Sequence, residues 1–343
     1  MIKAAAVNTQ DLMTEEAKRV LFGQSARALN RSRAERTGRL PSPAQAGLIA
    51  VLGCVLLAAG CAAAAGDELH VSGAVLHAEF DRSAFAGGGA PILAWMTRSA
   101  DIVSRYYARF PTASVTVRAV PQSGAGVQGG KTFANPNAYI RVQLGREVTA
   151  AELLSDWVLV HEMTHLALPD TGEEHAWLAE GIATYVEGVA RVQAGNRSEV
   201  DLWAEELHSM PRGLPQAGDR GLDHTHTWGR TYWGGAMFCL LADVGIRRST
   251  QLRFGLQQAL RAVLRESGGL ATDWPIERVL RSGDAAVGTR TLEELYAQMR
   301  DTPVAPDLMT LWRELGVLPE GDSVRLVDDA PLAPVRHAIM RAP

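Results

Sequence analysis

Residues 161–165 read His-Glu-Met-Thr-His, and fifteen residues beyond His165 stands Glu180, within Trp177-Leu178-Ala179-Glu180-Gly181. On an α-helix, positions i and i+4 lie one turn apart on one face. His161 and His165 can therefore turn a ring nitrogen each towards one metal ion at about 2.0–2.1 Å. Glu162 is rotated by about 100° from His161. That makes it a poor third ligand but a good acceptor for a proton from water at an open metal position. A catalytic zinc takes three protein ligands and keeps one position open. The third ligand must come from elsewhere, and Glu180 is the foremost candidate, on a second helix that shares the ion with the first. Glu187, seven residues later on the same helix face, is the alternative. It could be the third ligand itself, or it could orient a ligand histidine from behind.

The flanks of the histidines favour a helix. Thr149-Ala150-Ala151-Glu152 fits a capping box. Leu154, Val158, His161 and His165 repeat at helical spacing, with Trp157 on the same side. Pro169, followed by Asp170-Thr171-Gly172, stops the run. The pattern predicts one helix of about 19 residues.

His-Glu-x-x-His followed by Trp-Leu-x-Glu-Gly-x-Ala-x-Tyr-x-Glu resembles the gluzincin metallopeptidases, the thermolysin-like clan in which two histidines and one glutamate hold zinc. Residues 177–187 are similar to the M1 aminopeptidases and to the glycyl aminopeptidases. The interval from His165 to Glu180 is shorter than in the M1 pattern and closer to the compact peptidase MA-like bacterial proteins. Tyr232-Trp233-Gly234-Gly235-Ala236-Met237 and residues 240–247 resemble the Tyr-x-Lys-Gly segment of these enzymes and the helix after it. In all, the resemblance spans roughly residues 130–315. It implies a thermolysin-like α+β domain with Zn2+ on His161, His165 and Glu180, Glu162 as general base, and a peptide or protein substrate. It favours Glu180 over Glu187 as the third ligand. Tyr232 would either donate its hydroxyl to the oxyanion of the tetrahedral intermediate or pack as an aromatic at a helix start. The Gly-x-Met-Glu-Asn strand with which M1 enzymes grip a substrate amino terminus has no counterpart, so the resemblance leaves aminopeptidase versus endopeptidase action open.

Residues 1–66 read as a leader rather than as part of the fold. Arg31, Arg33, Arg36 and Arg39 form a positive flank, and residues 46–61 form an apolar run, the layout of a secretory signal. Leu57-Ala58-Ala59-Gly60-Cys61 resembles a lipobox with Cys61 as the lipidated residue. A cleaved secreted form and an uncleaved anchor are the alternatives. The stretch before the arginines is long for a signal, which suggests a start downstream of Met1. Two of the three cysteines lie in this leader, leaving Cys239 as a small core residue.

The 343 residues allow one large domain or two modest ones. The net charge of -4 gives no basis for nucleic-acid binding or for attraction to an anionic membrane surface. Two subdomains are expected, a β-rich one over residues 67–145 and a helical zinc-site one over 146–343. Strands are expected at 70–80, 114–120, 137–144 and 324–327, and a helix at 92–110. Further helices are expected at 199–210, 232–246, 252–265, 277–281, 292–299 and 308–315. Strands followed by helices argue for an α+β class. Residues 125–132 mimic a phosphate-binding loop, but Asn135-Pro136 opposes the helix such a loop requires. They read instead as a flexible glycine-rich loop before an edge strand. His224 and His226, in the loop before Tyr232, read as solvated, with cleft lining or a second metal as alternatives. His175 reads as a surface residue. The reaction that follows is amide hydrolysis by an exported, envelope-located peptidase. A catalytically inactive zincin-fold scaffold is the rival, and the presence of Glu162 speaks against it. Intact-mass measurement of the membrane fraction is expected to show a mature chain beginning at an acylated Cys61. A cytoplasmic product retaining residues 1–60 would rule this out.

Overall fold

In a computed structural model, the structure describes residues 66–134 and 137–342. The leader with Cys61, and the Asn135-Pro136 pair, lie outside the described residues. Where alternation over 70–80 predicts one strand, the chain makes two, β1 (Asp67–Val71) and β2 (Ala74–Glu79). Ser72 and Gly73 take φ values of 49° and 83°, the left-handed pair that closes a two-residue hairpin. Helix α1 (Ala90–Tyr107) begins with Pro91 in its first turn, where the missing N–H costs nothing. Strands β3 (Ser114–Gln122), β4 (Val127–Phe133) and β5 (Tyr139–Gly145) complete a sheet of order β1-β2-β3-β5-β4. β3 runs parallel to β2 and β5, and β4 is antiparallel to β5. The glycine-rich stretch expected as a loop is therefore largely strand β4, and β4 rather than β5 is the sheet edge.

α1 and the sheet share a core. Ile92, Trp95, Met96 and Val103 are buried with Leu76, Val117, Ile140 and Val142 in one cluster. Each fully buried large side chain contributes about 1.5–3 kcal/mol, so this face alone fixes the helix on the sheet.

The expected 19-residue helix is two helices, α2 (Ala150–Ser155) and α3 (Val158–His165). Thr149 and Glu152 form the capping box that starts α2. Asp156 then adopts extended backbone with ψ 140° and ends it. Its carboxylate accepts from the N–H groups of Val158 and Leu159, at 3.1 Å each, and so serves the first turn of α3. Trp95 Nε1 donates to the same carboxylate at 2.9 Å. Leu154, expected on the buried face, is 54% exposed because the break changes the phase of the apolar stripe.

The rest is mostly helical: α4 (Ala176–Gln193), α5 (Glu199–Ser209), α6 (Gly235–Ser249), α7 (Leu256–Ser267), α8 (Ile276–Val287), α9 (Thr291–Met299), α10 (Leu308–Leu315) and α11 (Ala333–Met340). α7 starts four residues later than expected, because Gln251 and Leu252 occupy a left-handed turn. The terminal strand β7 (Ser323–Leu326) pairs with β6 (Val317–Glu320), which sequence patterning did not indicate. The architecture is α+β, a mixed sheet followed by a mostly helical half. The described residues fall within one compact unit, 65–343. Among them no helix is long and apolar enough to cross a membrane. Cys239 is buried in the core, as expected.

Glu187 of α4 and Glu206 of α5 are both buried. Burial pushes Glu187 up to about 7 and Glu206 up to about 8; Glu205 adds to both shifts, while Arg197 offsets each in part and Arg191 offsets that of Glu187. A carboxyl raised above its ordinary 4.5 contributes stability that is complete below that value and lost as pH climbs through the folded pKa. Both shifts act in the same direction, so the wild-type Tm should fall between pH 5 and pH 9. In Glu206→Gln the fall should be clearly shallower, as thermal melts across that range can show.

Candidate metal centre

α3 and α4 present the three residues named by sequence at one point. His161 Nε2 lies 3.2 Å from Glu180 Oε2, and His165 Nε2 lies 3.5 Å from the same oxygen. The three ligand atoms all fall within 4.8 Å of one another. Among the described residues this is the one group of three or more His, Cys, Asp or Glu side chains that could hold a metal ion. Donors at 2.0–2.1 Å from a tetrahedral ion are separated by about 3.3 Å, so both distances fit a shared zinc. His161 is buried and its Nδ1 has no hydrogen-bond partner among the described residues, which leaves Nε2 as the ring nitrogen that meets Glu180.

The electrostatics favour charge separation here. Burial opposes ionisation of Glu180, but His165 and His161 outweigh it and hold the carboxyl well below the usual range. Burial likewise disfavours the charged form of His165, yet Glu180 reverses the balance and raises it. Glu180 is thus held in the ionised form that a divalent cation needs, while binding at His165 would displace the proton that Glu180 favours there.

Glu162 stands apart from the ligand set, as its phase on α3 dictates. Its side chain meets β4 instead. Thr132 Oγ1 lies 2.7 Å from Glu162 Oε2 and 2.8 Å from the Glu162 carbonyl. A Cβ on Gly130 would sit 2.5 Å from Glu162 Cγ. Neither Gly130 nor Thr132 emerged from the sequence as a site residue. A glycine pair inside a strand marks close approach of another group, and here that group is Glu162.

α4 and α6 cross at Gly181 and Gly235. A Cβ on Gly181 would strike the Gly235 backbone, and one on Gly235 would come 2.6 Å from Gly181 Cα. This contact carries the turn before α6 to the cluster. That turn, Arg230–Gly234, is a π-helix, wider than the α-helix expected over 232–246. Tyr232 lies within it. Its ring stacks with His161 at 6.2 Å and with Trp228 at 5.8 Å between centroids. Burial and the carboxylates of Glu180 and Glu162 push the phenol well above its ordinary range, and the hydroxyl is hydrogen-bonded with Glu180. Arg230 is buried against Asp219 at 2.8 Å and donates to the Gly213 carbonyl at 2.6 Å, fixing the turn from beneath.

Other candidates lie elsewhere. Glu187 pairs with Arg191 at 3.5 Å and is outside the metal-ligand group. His224 Nε2 sits 2.7 Å from Asp301 in an exposed pair, and His226 is exposed. His175, expected at the surface, is largely enclosed. Its Nδ1 faces the Thr171 carbonyl at 2.9 Å, and its Nε2 faces Tyr296 OH at 3.3 Å and Asp223 at 3.6 Å. Trp177 Nε1 and Tyr296 OH both donate to Asp223, so this network braces the first turn of α4.

A mixed sheet whose antiparallel edge strand lies against a His-Glu-x-x-His helix, with a second helix bringing the glutamate, is the M1-like gluzincin fold. Among solved structures, the aminopeptidase N family protein of Idiomarina loihiensis matches with a TM-score of 0.56 at 16% identity, over 74% of this chain and 49% of that one. An M1 zinc metallopeptidase from Deinococcus radiodurans matches with a TM-score of 0.46 at 14% identity, over 71% and 52%. A mutant of an M1 zinc metallopeptidase from that organism, bound to the substrate Tyr-Ser-Ala, matches with a TM-score of 0.46 at 14% identity, over the same shares. The chain thus spans about half the length of these structures, and the likeness is one of fold. No protein-family model and no curated protein matches the sequence.

Overpacking a filled helix crossing costs about 1–3 kcal/mol, and Gly181→Ala forces backbone against backbone. Urea unfolding of Gly181→Ala should show at least that loss. Unchanged stability would mean the two helices are not held at this separation.

Proposed function

We propose that the chain is a zinc-dependent peptidase, with one Zn2+ on His161, His165 and Glu180 and with Glu162 as general base. The observation that carries this reading is the convergence of the three ligand atoms, with Glu180 Oε2 3.2 and 3.5 Å from the two histidine nitrogens, beside a second acidic residue, Glu162, that is not a ligand. A structural site has no use for such a base.

When bound, zinc supplies a Lewis acid for the scissile carbonyl and lowers the pKa of water. Glu162 takes a proton from the attacking water and returns it to the leaving nitrogen, so the amide C–N bond breaks as N–H forms. Tyr232, stacked on His161 beside Glu180, donates its hydroxyl to the oxyanion that develops at the carbonyl. Among the described residues β4 pairs with β5 alone, so its outer edge offers backbone groups to an extended peptide. Lys131 is the one charged residue of β4, and the strand presents no carboxylate to a free amino terminus. The same reading exports the chain through residues 1–66 and anchors it by lipid on Cys61.

Glu162→Gln separates the enzyme from a scaffold. Zinc content and Tm should stay near wild type, while cleavage of a mixed peptide library drops by about 10²–10⁴-fold. Glu180→Gln should lose zinc as well, since a neutral amide is a much poorer ligand. A wild-type protein that binds zinc and cleaves nothing would favour the scaffold, and loss of zinc in Glu162→Gln would reverse the roles of base and ligand.

A further inference from the structure

We infer that Thr132 is a positioning residue for Glu162, and that strand β4 serves as a clamp on the base as well as an edge for a substrate. This inference rests on the assignment of Glu162 as the base.

Residues 130 and 132 point to the same face of β4, because side chains alternate along a strand. On that face each does one thing. Gly130, lacking a side chain, lets the strand settle directly on the Glu162 methylenes; any Cβ there would come within 2.9 Å of Glu162 Cδ and Oε1 and 2.5 Å of Cγ. Thr132 then reaches both the carboxylate and the main chain of the same residue, at 2.7 and 2.8 Å. Its single hydroxyl proton can serve one acceptor at a time, and either choice keeps the oxygen where it is. Strand, helix backbone and carboxylate are thereby locked together. When the hydroxyl donates to Oε2 it holds the carboxylate at that oxygen and leaves Oε1 free to receive a proton.

A glutamate has three rotatable bonds, and a base is effective only within hydrogen-bond reach of the proton it takes. Helix α3 itself fixes Glu162 only as far as its Cβ. The clamp supplies that restraint from the sheet. Threonine suits the task because its branched Cβ is at home in a strand and has restricted χ1 freedom.

Thr132→Val keeps the shape and removes the hydroxyl, and Thr132→Ser keeps the hydroxyl. Kinetics are read on whichever library peptide the wild type cleaves best. Thr132→Val should lower kcat by about 10–100-fold, the range for a hydrogen bond to a charged group, with KM, zinc content and Tm close to wild type. Thr132→Ser should retain kcat within about threefold. Crystal structures of both variants supply a readout independent of activity: the Glu162 carboxylate should leave its wild-type position or spread over several rotamers in Thr132→Val, and hold in Thr132→Ser. A single wild-type carboxylate position in Thr132→Val, or a serine variant as impaired as the valine, would overturn the proposal. Should the wild type cleave no peptide, the peptidase reading fails, while the Glu162 positions in the two variants still decide whether Thr132 holds that side chain.

Discussion

The site exists because two glycines let two helices touch. Gly181 and Gly235 bring the backbones of α4 and α6 closer than any side chain would permit. Glu180 is the residue before one of these glycines, and the π-turn with Tyr232 precedes the other. A carboxylate from one helix and a phenol from the next turn thus share a space only because nothing stands between their backbones. The surrounding aromatics fill the flanks of the crossing: Trp177 packs edge-on against Phe238 at 5.2 Å and stacks with Tyr296 at 6.2 Å. Small residues at the contact and large ones beside it are what dense packing requires when two helices approach this closely.

A second constraint acts on the histidine helix from its start. The carbonyls exposed where α2 ends are taken up by side chains from elsewhere: Leu153 by Arg98, Leu154 by Asn196 and Ser155 by Arg191. Arg191 also donates to Asn196 at 2.8 Å, so the two act as one bracket from the end of α4. Backbone groups at a helix end that lies against the core must be satisfied somewhere. Satisfying two of them with Arg191 of the Glu180 helix and Asn196 just beyond its end ties the two metal-binding helices together at the end opposite the ligands. Both supports reach the site from rigid elements, which is how a constellation is held to the tolerance that chemistry requires.

How much of this was legible depends on the range of the interaction. His161, His165 and Glu162 were readable because helical phase is local, and Glu180 because its segment resembles a known pattern. The α+β class followed from the order of strands and helices. Asp156 was not readable as a break, because Trp157 and Val158 continue the helical pattern and the partner that holds Asp156, Trp95, lies 61 residues away. β4 was missed because glycines depress strand propensity; what makes it a strand is pairing with β5 and contact with Glu162, neither visible in one segment. His175 looked like a surface residue because its partners, Asp223 and Tyr296, arrive from distant parts of the chain. The π-turn has no signature in composition at all.

The break at Asp156 also separates two kinds of tolerance to change. In an uninterrupted helix, each inserted residue would rotate everything after it by about 100° and carry the histidines off the ion. Because Asp156 restarts the hydrogen-bond ladder at Val158, the angular phase of His161 is counted from Asp156 and not from Thr149. The start of α2 can therefore lengthen or shorten without rotating the histidines, so long as the carbonyls of Leu153, Leu154 and Ser155 keep their partners. No such freedom exists downstream: between Asp156 and His165, a gain or loss of one residue would rotate the histidine pair out of phase with Asp156.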